Sequence, residues 1–239
     1  MPGSLQRSLD AARFLKSQGL RVIFANVLMA QTAQDYPGVR ALAQEMGMEC
    51  ILDPTITPMM DGDRGVLNYG VGPETLRQVF RDEALVGDVD EYCAVAAPGD
   101  ADSLNALPCS AGHTTCYVSP YGDVFPCVQF PIVTGNVRKE RFIDIWRDSP
   151  VMNDVRSIRL KDLTTCSSCT HVTGCSRCPG LAYMEGNMRG PSSQDCEKSF
   201  VKTGVPSANM LTKKRSSANL IQIRVLPAAA SSSASGAIA

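Results

Sequence analysis

The stretch CSSCTHVTGCSRCPG, residues 166–180, puts four cysteines within thirteen positions, and Cys196 follows shortly after. Such density needs a cause: a disulfide scaffold, a zinc site or an iron–sulfur cage. The compartment narrows the choice. The opening MPGSLQRSLDAARFLK lacks the charged-then-apolar order of a secretory signal. No run of about 20 apolar residues is present to span a bilayer. Both observations point to the reducing cytoplasm, where stable disulfides are rare and clustered cysteines bind metal or do redox chemistry.

The chain holds ten cysteines. Cys50 falls in a predicted strand, where a small apolar residue is its plain role. Cys93 falls in a linker and is given no role. The other eight, Cys109, Cys116, Cys127, Cys166, Cys169, Cys175, Cys178 and Cys196, make two sets of four. Zinc ribbons set two C-x₂-C knuckles about 15–20 residues apart. Cys169 and Cys175 have only five residues between them. Iron–sulfur clusters also take four thiolates, and in bacterial ferredoxin runs the cysteine before a proline serves the other cluster. Cys178-Pro179 has that form. Spacing alone leaves zinc and iron–sulfur open. His113 and His171 are superfluous if eight thiolates suffice, and are expected to be solvated loop residues.

Outward from the cysteines, the N-terminal third has a different texture. Leu5, Leu9, Ala12 and Leu15 recur at helical spacing over residues 4–18, with Ser4 able to cap the start and Gly19 the end. RVIFANVL, residues 21–28, reads as a buried strand. Residues 35–46 read as a helix with Pro37 in its first turn, Val39, Leu42, Ala43 and Met46 on one face, and Gly47 after it. ECILD, residues 49–53, reads as a second buried strand. Alternation of helix and strand predicts a parallel sheet with right-handed crossovers. Two strands do not complete such a domain, so residues 1–85 are expected to be the C-terminal tail of a larger α/β barrel. The loop 53–65 would then leave the ligand-binding end of a barrel, with Asp53, Asp61 and Asp63 near its mouth. Its plainer reading is a polar surface loop. Residues 73–82 read as a further helix and 86–106 as a linker.

From residue 107 periodicity is short. CYVSPYGDVFPC, residues 116–127, predicts a hairpin about SPYGD. Residues 141–158 predict one helix with Phe142, Ile145, Trp146 and Val155 in the core. Residues 107–203 have little core of their own and need a staple. The remainder, 204–239, is read as a tail with a strand at 220–226 and a disordered Ala/Ser-rich end. With 23 basic and 24 acidic side chains the net charge is −1, so no broad basic surface for nucleic acid is implied.

The succession CSAGHTTCYVSPYGDVFPC, GNVRKERFIDIWRDSPVM, CSSCTHVTGCSRCPG and Cys196 resembles the SPASM domain. That is the auxiliary iron–sulfur module at the C-terminal end of radical S-adenosylmethionine (SAM) peptide-modifying enzymes. Cys109 opens the pattern, residues 122–127 supply G-x₄-C, Cys166, Cys169 and Cys175 follow, and Cys196 closes it. Cys178 comes one residue early, as C-x₂-C in place of C-x₃-C. Residues 3–65 are similar to the last part of the barrel of the same enzymes. The resemblance thus implies an α/β fold: the C-terminal portion of a radical SAM partial (β/α) barrel, then a small, loop-rich, cysteine-ligated SPASM domain.

It also implies two auxiliary [4Fe–4S] clusters. Cys109, Cys116, Cys127 and Cys178 would hold one, and Cys166, Cys169, Cys175 and Cys196 the other. A peptide or protein substrate and a reductant such as flavodoxin or ferredoxin are implied as partners, with no nucleic acid and no membrane. The catalytic signature C-x₃-C-x₂-C, which holds the SAM-cleaving cluster, is not found in the 239 residues. SAM and a third cluster are therefore expected only in a longer, intact enzyme, and no catalytic residue is assigned. Val128 stands where the sulfatase-maturing branch has an acidic base after its G-x₄-C cysteine. Two rival readings remain: a stand-alone two-cluster electron-transfer protein, and a zinc-stabilised interaction module.

Overall fold

The computed structural model describes residues 3–212. The expected strand at 220–226 and the Ala/Ser-rich end lie outside the described residues.

Chain order begins with α1 (Ser4–Ser17), β1 (Ile23–Val27), α2 (Tyr36–Glu45) and β2 (Glu49–Asp53). β1 and β2 pair in parallel from Ile23–Glu49 to Val27–Asp53, as helix–strand alternation predicts. Gly3 rather than Ser4 occupies the position before α1; Ser4 is already helical and its carbonyl accepts from the Ser8 hydroxyl. The strands are not buried. Both alternate between exposed and half-buried, because the sheet of two strands is covered on one face by α2 and its neighbours. α1 buries no residue, and Leu5, Phe14 and Ile51 lie largely in solvent.

α3 (Pro73–Val79) follows, and then three short helices where a linker was expected: α4 (Glu83–Val86), α5 (Val89–Cys93) and α6 (Ala101–Leu104). Asp82, Asp88 and Asp100 each cap one of them, their carboxylates accepting from Ala84, Glu91 and Ser103 amides. Leu85 and Tyr92 from this stretch pack on a core of Leu28, Leu76, Val79, Phe80 and Val201. Val201 belongs to α10 (Ser193–Thr203), so this core is closed by a helix from the far end of the chain.

The cysteine-rich half is organised by a small antiparallel sheet. β3 (Tyr117–Val118) pairs with β4 (Asp123–Phe125) through the expected hairpin, turned at Gly122, whose φ of 91° favours glycine. β5 (Gly135–Asn136) adds a third strand. The helix expected over 141–158 is two helices, α7 (Phe142–Asp148) and α8 (Pro150–Ser157). Pro150 cannot donate an amide inside a helix but suits a first turn, and the Ser149 hydroxyl caps α8 by accepting from the Met152 amide. Ile145 and Val155 are core, as expected. Trp146 is part-buried, while Phe142 is 43% exposed and stacks on Trp146. α9 (Pro179–Met184) precedes α10.

Leu28 is 1% exposed and shares its core with Val201. Leu28→Ala should cost about 2–5 kcal/mol. The loss should also appear as weaker amide-exchange protection in α10, not in β1 alone; unchanged protection in α10 would contradict a shared core.

Candidate iron–sulfur site

The sheet and α8 shape the loop that carries Cys109 and Cys116. The Gly112 amide donates to Pro126 and Thr115 carbonyls, and the Arg156 guanidinium donates to the Gly112 carbonyl at 2.5 Å. Arg156 also lies 4.4 Å from the centre of the Trp146 ring. Cys109 and Cys127 pack against one core cluster of Ala111, Phe130 and Val155. Cys178 comes from the other side: it neighbours Cys109, and its thiol lies 3.8 Å from Gln129 Oε1. Cys116 instead packs against the adjoining cluster of Val124, Ile145 and Met152.

What brings Cys178 this close is a glycine. A Cβ on Gly180 would collide with the Gln129 carbonyl, so only a bare α-carbon lets the start of α9 lie flat on the 127–130 turn. The Cys178 amide donates to Asp195 Oδ2 at 2.8 Å, which fixes α9 against α10.

The second set is gathered more tightly. Cys166, Cys169, Cys175 and Cys196 line one cavity with His171, Arg177 and Asp195. Cys166 lies in the first turn of a 3₁₀ helix (Thr165–Ser168), Cys169 and Cys175 flank the loop that holds His171, and Cys196 lies on α10. The Ser199 hydroxyl donates to Cys175 Sγ at 3.3 Å, and the Ala208 amide to Cys169 Sγ at 3.5 Å. Burial pushes the Cys166 thiol up to about 11, partly offset by the Arg177 charge. Burial likewise raises Cys175, Cys178 and Cys196. These are protonated thiols at neutral pH, so ligation to metal must release protons. Among the described residues, no three His, Cys, Asp or Glu side chains converge as a single-ion site. The donor chemistry, four thiols about a shared apolar-walled cavity, suits a sulfur-ligated cluster.

His171 corrects its sequence reading. It is 4% exposed rather than solvated, with Nε2 2.9 Å from the Val205 carbonyl. His113 is part-buried, and burial lowers its pKa. Arg177 and Asp195 were missed altogether; both are buried, at 5% and 2% exposure. Cys93 is turned to the Phe80 carbonyl, and Cys50 lies within β2. The Asp53, Asp61 and Asp63 carboxylates accept from the amides of Thr55, Asp63 and Gly65, shaping their own loop.

A cleft of about 410 Å³ opens beside the second set, lined by Asp53, Thr55, Tyr92, Lys198, Ser199 and Lys202. Lys202 Nζ sits 4.0 Å above the Tyr92 ring. Ser199 borders both cleft and thiol cavity.

Residues 109–170 match the SPASM family, an iron–sulfur cluster-binding domain. The match takes in five of the eight clustered cysteines; Cys175, Cys178 and Cys196 lie beyond it. An AdoMet-dependent heme synthase of Methanosarcina barkeri is 36% identical over 76 residues, covering 31% of this chain and 21% of that protein. The mycofactocin maturase MftC of Mycolicibacterium smegmatis is 29% identical over 123 residues, covering 48% and 30%. The crystal structure of Streptococcus suis SuiB bound to S-adenosylmethionine superposes with a TM-score of 0.53 at 17% identity, covering 80% of this chain and 48% of that one. Residues 109–170 therefore carry a SPASM iron–sulfur cluster-binding domain. This SPASM chain has a mixed α/β fold and spans less than a third of the length of either of these two relatives. Among the described residues, no helix is long and apolar enough to cross a membrane.

Gly180→Ala should destabilise the SPASM region by about 1–3 kcal/mol, because the obstacle is backbone rather than a movable side chain. Denaturant unfolding measures it, and an unchanged midpoint would show that α9 can lift from Gln129 at no cost.

Proposed function

We propose that this chain is the auxiliary iron–sulfur part of a radical SAM/SPASM oxidoreductase that modifies a peptide or protein. Cys109, Cys116, Cys127 and Cys178 would hold one [4Fe–4S] cluster, and Cys166, Cys169, Cys175 and Cys196 the other. The observation that carries the reading is the single cavity lined by the four thiols of the second set, three of them from one loop and the fourth from α10. Bound there, a cluster supplies one-electron chemistry. The chain's own residues do the rest. Cysteine thiols release protons on ligation, Ser199 and the Ala208 amide donate to sulfur, and the apolar walls keep water out.

The cleft supports a substrate wall between the α/β segment and the SPASM region, because Ser199 separates it from Cys175 by a single side chain. Asp53 lies at its edge, which supports reading β2 as a strand that leads to a ligand-binding face. Residues 3–53 would then be the last βα units of a partial barrel. The maturase relative favours a peptide substrate. The heme synthase relative favours a second reading, in which the same part serves a tetrapyrrole-modifying enzyme. A ferredoxin or flavodoxin would deliver or remove electrons, and the compartment would be the cytoplasm.

Anaerobic reconstitution of the 239-residue chain should give about eight irons and eight sulfides, with thiolate-to-iron absorption near roughly 400 nm. A colourless protein with two zinc ions would overturn the assignment. SAM cleavage needs an iron with an open site, and the chain lacks C-x₃-C-x₂-C. With SAM and dithionite it should yield no 5′-deoxyadenosine above background; turnover by this chain alone would require an open iron, with Cys116 the first ligand to question.

A further inference from the structure

Arg177 is the second of the two residues between Cys175 and Cys178, so it sits in the loop that joins the two sets. It is 5% exposed and lines the cavity of Cys166, Cys169, Cys175 and Cys196. One edge of its guanidinium is fixed: Nε donates to the Gly190 carbonyl at 2.8 Å, and Nη2 to the Gly190 and Met188 carbonyls. The remaining nitrogen, Nη1, is buried and has no hydrogen-bond partner among the described residues. A buried charged donor left unmade is costly, and folds retain one where a ligand completes it.

The other charges nearby do not cancel it. Among the described residues, Asp195 is the one buried anion lining the cavity, and it is occupied twice. Its Oδ2 accepts the Cys178 amide, and its Oδ1 lies 2.8 Å from Lys198 Nζ, a charge contact rather than an aligned hydrogen bond. Among the described residues, Arg177 therefore remains a buried cation beside the thiols with no hydrogen-bonded anion. Burial pulls its pKa down, while the Cys166 sulfur and Asp195 push it back up.

We propose that Arg177 is a positioning residue for the cluster of Cys166, Cys169, Cys175 and Cys196, its free Nη1 donating to sulfur there and making that cluster easier to reduce. The inference rests on the two-cluster reading. One electron enters from the reductant, no covalent bond breaks, and the cluster becomes more negative by one charge. A fixed cation in a site of low dielectric favours that state, as does an N–H···S bond. Orientation by backbone carbonyls keeps the donor in place through both redox states.

The test is an EPR-monitored dithionite titration of the reconstituted full chain, with Arg177→Gln and Arg177→Lys alongside. In Arg177→Gln one of two cluster transitions should move negative by at least about tenfold in the reduction equilibrium, about 59 mV for one electron. Arg177→Lys, which keeps the charge, should stay within about threefold of wild type, about 28 mV on the same scale. If wild type takes up no iron, the two-cluster reading falls and takes this one with it. If wild type and Arg177→Gln both load and titrate alike, this inference alone falls. Failure of both variants to load would make Arg177 a packing residue and overturn its redox role. Failure of Arg177→Gln alone, with Arg177→Lys loaded and near wild type, would support a requirement for charge.

Discussion

The bond from the Cys178 amide to the Asp195 carboxylate joins parts of the molecule that share no regular sheet or helix pair. Cys178 begins α9 and Asp195 lies in the first turn of α10. Their contact sets α9 on the 127–130 turn and α10 across the thiol cavity. α10 in turn carries Cys196 into that cavity, Val201 into the core under β1, and Lys198 to the cleft. A carboxylate that is 2% exposed tolerates this position because one oxygen accepts the Cys178 amide and the other faces the Lys198 charge. Without those partners its burial would oppose folding, and the α/β segment and the cysteine region would lose the helix they share.

Cysteine number and spacing marked eight residues as candidate ligands because thiolate ligation is a strong local constraint, and the resemblance divided them into two sets. Three cysteines of one set must then fit a single loop, which concentrates the signal in residues 166–175. The parallel β1–β2 pair was legible for a related reason. Its residues alternate with two helices whose ends are marked by Gly19, Pro37 and Gly47. Burial was not legible. A run such as RVIFANV reads as an enclosed strand, yet Ile23 and Val27 are 38% and 43% exposed, since enclosure depends on neighbours that local sequence does not encode.

Other features escaped for reasons specific to each. Pro150 was absorbed into a helical periodicity that resumes in nearly the same phase after Ser149, so the break left no trace in the apolar pattern. β5 is two residues long and holds by backbone bonds to β4. His171 looks solvated in a loop of Ser, Thr and Gly, but the Val205 carbonyl arrives from more than thirty residues away to bury it. Arg177 had one possible signal, an arginine inside C-x₂-C. Nothing local distinguishes a guanidinium turned into a cavity from one in water, since its anchors are the Met188 and Gly190 carbonyls of a later loop.

The core that joins Leu28 to Val201 has a consequence for how the protein is made. A ribosome releases β1 long before α10 exists, so Leu28, Leu76 and Phe80 emerge with one wall of their core absent. The nascent segment must stay sheltered until α10 has been translated, and the same helix then delivers Cys196. Closure of this core and completion of the second thiol set thus wait on the same helix. A premature stop before residue 193 would leave an open hydrophobic face, a substrate for proteases rather than a smaller working protein.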